Sequence, residues 1–130
     1  MFAHIQAQKS YFSTGGRKFN DQAPFLIFLH GSGQSHLSWV LQTRFFAHEA
    51  FNVIAPDFPG HGLSEGKPLA HIEEMADWII VLMDTLGIYK AAVLGHSQGG
   101  LVALELAARY PARVDKIVLI ASALAIPVND

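Results

Sequence analysis

The sequence predicts an α/β fold: a three-layer αβα arrangement around a mostly parallel sheet of about six strands, in one domain over residues 1–130. Three observations predict it. Apolar periodicity switches repeatedly between short strand-like runs and helix-like spacing, the pattern of βαβ units. The run Phe25-Leu26-Ile27-Phe28-Leu29 is continuously apolar, as strands covered on both faces of a parallel sheet are. Between residues 69 and 86, Ile72, Met75, Ala76, Ile79, Met83 and Leu86 fall at i, i+3, i+4, i+7, i+11 and i+14, which is one helical face. A chain of 130 residues, 51% of them hydrophobic, can build one real core and not two.

Taken in order, residues 2–7 and 10–13, ahead of Gly15-Gly16, read as a pair of edge strands. The apolar run at 25–29 is the third strand and ends at His30-Gly31. Ser35 is placed to N-cap a helix over residues 37–48, and residues 52–55 form the fourth strand, stopped by Pro56. Residues 57–62 carry prolines and glycines at a spacing only a loop tolerates. The helix with the apolar face at 69–86 ends at Gly87, a natural C′ stop. Residues 91–94 give the fifth strand and 99–110 the next helix, with Arg109 favourably placed at its C-terminal dipole and Pro111 beyond it. Residues 116–121 close the series as a strand, followed by a turn at Pro127.

Composition excludes several functional classes. With 15% charged residues and a formal net charge of −2, there is no basic field for nucleic acid. The longest apolar run, 117–128, is shorter than the ~20 residues of a membrane span and contains Ser122 and Pro127, so no membrane partner is expected. The first ten residues do not resemble a secretory signal, and the chain has no cysteine for disulfides or thiolate metal sites. A cytoplasmic protein without metal or other cofactor is the expectation.

The strongest chemical signal is Gly95-His96-Ser97-Gln98-Gly99, a G-x-S-x-G between an apolar run and an alanine-rich helical segment. A serine on so tight a strand-to-helix turn takes a strained backbone, and Gly95 and Gly99 leave room for neighbouring segments to approach. The hydroxyl of Ser97 then projects above the sheet beside the free N–H groups of a helix N-terminus, which suits a nucleophile facing a developing oxyanion. His96, adjacent in the turn, points away from Ser97 and reads as packed structure rather than as a base.

A second motif, Leu29-His30-Gly31-Ser32-Gly33, follows the third strand, and a third, Asp57-Phe58-Pro59-Gly60-His61-Gly62-Leu63-Ser64, follows the fourth. Together the three motifs resemble, in order and over residues 29 to 99, the α/β-hydrolase family of serine hydrolases. That resemblance implies that the backbone N–H of Ser32 joins that of Gln98 as oxyanion donors, with His30 and Gly31 supporting the turn. It also implies that Asp57 and His61 hold a loop and take no part in catalysis. The substrate class so implied is a small ester-like molecule attacked at its carbonyl by Ser97.

The same resemblance exposes a gap. The family's chain order is nucleophile, acid, histidine, yet all seven histidines, at 4, 30, 36, 48, 61, 71 and 96, precede Ser97. Asp130 is the sole carboxylate after the sixth strand and has no histidine to orient. The chain therefore reads as the N-terminal portion of such a domain, lacking the last strands and the substrate-selecting cap, and is expected to be nearly inactive alone. Because the family's sixth strand is interior, the bare edge at 116–121 predicts a homo-oligomer that covers it. The alternative is a non-catalytic binding module that self-associates.

Overall fold

The computed structural model describes residues 1–121; Asp130 and the turn expected at Pro127 lie outside them. Six strands form one sheet in the order β1-β2-β4-β3-β5-β6. Strands β3 (Phe25–Leu29), β4 (Asn52–Pro56), β5 (Ala91–His96) and β6 (Val114–Ile120) are mutually parallel, and β1 (Phe2–Ile5) and β2 (Gln8–Ser13) add an antiparallel hairpin beside β4. Helices α1 (Val40–His48), α2 (Ile72–Leu86) and α3 (Gln98–Arg109) supply the crossovers. The predicted three-layer architecture is the observed one.

Alternation along the central strands sorts side chains between the two faces. Ile27, Leu29, Ile54 and Val93 pack against α2 and α3, through Trp78, Ile79, Met83, Val102 and Leu106, in the larger core. Leu26, Phe28, Val53 and Ala55 face the other way and meet Trp39 and Ala47 of the α1 segment in a smaller one. Gly87, at φ 72°, closes α2 as expected, its left-handed backbone costing glycine nothing.

Several boundaries differ from the sequence reading for identifiable reasons. The hairpin turns at Gln6 and Ala7, both at positive φ (50° and 65°), so β2 starts at Gln8. Strand β2 is also interior, flanked by β1 and β4, so of the two hairpin strands β1 alone is an edge. The helix expected over 37–48 is divided: Ser35 Oγ does accept from the Leu37 amide at 3.2 Å, but it caps a 3-10 turn, His36–Trp39, before α1 begins. Leu69 packs on the core from the loop ahead of α2, outside the helix. Strand β6 begins two residues early, at Val114, because its pairing with β5 tolerates an irregularity between Ala91 and Val93.

Candidate functional site

The carboxyl ends of β3 and β5 lie side by side, with Leu29 in register with Gly95, so the turns leaving these two strands meet. Ser97 sits between β5 and α3 with φ 55° and ψ −118°, a conformation that costs a non-glycine residue about 1–3 kcal/mol. It is held there by backbone: its amide donates to Ile120 O at 3.1 Å, and its carbonyl accepts from the Gly100 amide at 2.9 Å. A Cβ on Gly95 would overlap the Gly99 carbonyl, and one on Gly99 would overlap the Leu29 carbonyl. Both glycines of the motif are thus required by close approach, as its spacing predicts.

The His30-Gly31-Ser32-Gly33 turn faces this corner directly. A Cβ on Gly31 would stand 3.3 Å from the Cβ of Ser97. Amides on either side of Ser32 are engaged, Gly31 donating to Gln34 Oε1 at 3.1 Å and Gly33 to His61 Nε2 at 3.3 Å. That of Ser32 has no acceptor among the described residues. The amide of Gln98, first in α3, precedes any intrahelical partner. Two backbone donors are therefore available on the two turns that converge at Ser97.

His30 lies beneath the turn, 1% exposed. Its Nε2 accepts from the Phe58 amide at 3.1 Å, so Nδ1 carries the proton and donates to Gly31 O at 2.7 Å. Burial holds its pKa below the usual imidazole value, which the bond to Gly31 only partly offsets. It is a neutral brace for the turn.

His61 is a brace too, its Nε2 accepting from Gly33 while Nδ1 donates to Pro59 O at 3.1 Å. Asp57, fully buried, accepts at Oδ1 from the His36 amide at 2.6 Å and at Oδ2 from the Leu63 amide at 2.9 Å, and both oxygens lie 2.9 Å from His36 Nδ1. Its backbone accepts from Ser64 Oγ at 2.7 Å, and that same hydroxyl oxygen accepts from the Tyr11 amide. The 57–64 loop is thus sewn to β2 and to the start of the His36–Trp39 turn.

Two residues of the site carry no signal in the sequence. His36 is one, since its partner Asp57 lies 21 positions away. The other is Gln34, whose Oε1 accepts from the Gly31 amide, from Ser38 Oγ at 3.3 Å and from His96 Nδ1 at 3.3 Å, tying the first turn to the second. His96 is not packed away as expected: its ring meets Trp39 edge-on at 6.4 Å but stays half-buried, lining a cleft. That cleft, about 330 Å³, is walled by Gln34, Ser38, Trp39, Gln42, His96 and Ile120. Among the described residues its walls contain no carboxylate, lysine or arginine. Among the described residues no cluster of His, Cys, Asp and Glu could hold a metal ion.

The family model described as alpha/beta hydrolase fold matches residues 24–130. This chain belongs to the alpha/beta hydrolase fold family. It is 38% identical over 99 residues to a putative non-heme haloperoxidase of Mycobacterium phage D29, covering 75% of this chain and 36% of that protein. It is 36% identical over 112 residues to epoxide hydrolase 1 of Caenorhabditis elegans, covering 83% of the chain and 26% of the relative. The enol-lactonase of Burkholderia xenovorans LB400 superposes on 95% of the chain with a TM-score of 0.85 at 29% identity, over 47% of its own length. The chain thus spans about a third or less of these two curated relatives. Names as different as these mean that family membership alone does not select a reaction.

Proposed function

We propose that this alpha/beta hydrolase segment carries the nucleophile and oxyanion donors of a serine hydrolase acting on small neutral esters, thioesters or amides. Ser97 attacks the substrate carbonyl, and the amides of Gln98 and Ser32 receive the negative charge that develops on its oxygen. The observation that carries this reading is the strained Ser97 backbone, wedged where Gly95 and Gly99 allow β3, β5 and α3 to touch. A residue in an unfavourable backbone state, over-determined by its surroundings, is a signature of a working side chain. Serine at this position also speaks against epoxide chemistry by an aspartate nucleophile, despite the epoxide hydrolase among the relatives.

A base and an acid complete such a site, and we place both outside these 130 residues. No histidine follows Ser97. Among the earlier ones, His30, His36 and His61 are engaged in holding turns, and His96 is bonded to Gln34. Alone, the chain is then catalytically silent at neutral pH, since serine without a base is a poor nucleophile. Strand β6, an edge of the sheet among the described residues, accepts the same strand of a second copy in this segment, and a cytoplasmic location suits a chain without cysteine. A second reading, a non-catalytic binding module that self-associates, draws its support from the exposed apolar side chains of Val118, Leu119 and Ile120 on β6.

Intact mass after fluorophosphonate treatment, with Ser97→Ala as control, separates the two. At neutral pH little adduct is expected; near pH 10, where hydroxide can take the proton, one slow adduct should map to Ser97 and vanish in the variant. No adduct at either pH, or label scattered over other serines, would favour the binding module. A fast adduct at neutral pH would show that a base within the chain reaches Ser97.

A further inference from the structure

Helix α1 is apolar on both sides, and the described residues cover only one of them. Trp39 and Ala47 face the smaller core, together with the partly buried ring of Phe46. The opposite side of the 3-10 turn and helix presents Leu37, Val40, Leu41 and Phe45, exposed by 64%, 50%, 77% and 58%. Three of them, spaced at i, i+4 and i+8, form a continuous ridge. Four large apolar side chains on one exposed helix face mark an interaction surface rather than scattered surface residues.

The charge around the ridge selects its partner. Arg44 lies within it, and exposed Arg17 and Lys18 lie beyond its C-terminal end, where they share a surface hollow with His48. One exposed carboxylate, Glu49 at the C-cap of α1, stands at that same end, and the three cations outnumber it. An anionic lipid surface satisfies both halves of the pattern, taking the apolar ridge into the headgroup boundary and the cations against phosphate.

From this pattern we infer that the outer face of α1 is a peripheral docking surface for anionic bilayers. No helix among the described residues is long and apolar enough to cross a membrane, so the contact is with one leaflet. It reverses the expectation of no membrane partner, which rested only on the lack of an apolar run long enough to span. Ser38 and Gln42, on the flank of the same segment, wall the cleft that His96 also lines, so docking brings that cleft to the lipid boundary. Binding rests on the ridge and its cations and holds whether or not Ser97 is a nucleophile.

The test is cosedimentation of the chain with vesicles of phosphatidylcholine alone or with about 30% phosphatidylglycerol. Binding is expected to the anionic vesicles and to weaken when salt is raised to about 0.5 M. Arg44→Gln and Lys18→Gln should each weaken it about fivefold, the worth of one cation near such a surface. The double variant Leu41→Ser with Phe45→Ser should weaken it at least about tenfold. These side chains are exposed, so the far-UV circular dichroism of the variants should match the parent. No binding to anionic vesicles, equal binding to neutral ones, or indifference to the double variant would overturn the proposal. So would self-association abolished by the double variant in the absence of lipid binding.

Discussion

The two faces of the sheet are built to different degrees of completion. On one, α2 and α3 lie over β3, β5 and β4, and Ile27, Leu29, Val93, Trp78 and Ile79 are wholly buried. On the other, α1 covers Leu26, Phe28 and Val53, but nothing in residues 1–121 lies over β5 and β6. Ala92 and Leu94 are only partly buried there, and Val118 and Ile120, paired with Leu94 and His96, remain 46% and 41% exposed. A strand with apolar residues on both faces is expected to be sandwiched. The closed face therefore reports what holds the fold, and the open face is apolar surface that the described residues leave uncovered.

Mutations should divide along the same line. The largest loss is expected from Trp78→Ala on the closed face, about 3–5 kcal/mol by urea unfolding, because the cavity left among Phe58, Ile79 and the central strands cannot collapse. Gly99→Ala, at the corner where the faces meet, should cost about 1–3 kcal/mol, since the new methyl runs into the Leu29 carbonyl and backbone must shift. The same variant should lose the alkaline fluorophosphonate adduct, which Trp78→Ala, if folded, keeps. If the chain took Gly99→Ala without loss of stability, the close approach drawn for the elbow would be wrong.

A smaller effect is expected from pH. Because burial depresses the pKa of His30, the unfolded chain binds its proton more readily than the folded one. The contribution is whole above the unfolded value of about 6.5 and is lost as pH falls from there toward the lower folded value. His30→Gln should lower stability at pH 7.5 but flatten its decline toward pH 5, and parallel slopes for the two proteins would assign that decline elsewhere. Smallest of all, Val118→Ala on the open face should change stability by less than about 1 kcal/mol. A loss as large as that of a core residue would mean that this face is already covered in solution.

How much of this was legible in the sequence depends on distance along the chain. Parallel strands announced themselves as apolar runs, and α2 by its 3.6-residue period, because both signals are local. The Gln6-Ala7 turn was missed because its left-handed conformations are occupied without the asparagine or glycine that usually marks them. The 3-10 turn at His36–Trp39 reads as helix in the sequence because its apolar spacing fits either form. At the site, the serine turn and the Ser32 turn were visible as motifs whose glycines encode close approach. Gln34 and His36 were not, since their partners are set by the fold: nothing near Gln34 in sequence indicates His96, 62 positions on.

The bond from the Ser97 amide to Ile120 O also bears on motion. The strained backbone of the serine is fastened to the last residue of β6, a strand with one neighbour among the described residues and a largely solvent-facing surface. Strand ends of that kind open locally at a small fraction of the global unfolding free energy. Each such opening would release the Ser97 amide, allowing exchange with solvent deuterium and letting the turn relax toward an ordinary conformation. The exchange lifetime of this one proton is thus a direct gauge of how firmly the edge is held, and anything that pairs with β6 would stiffen the serine from a distance.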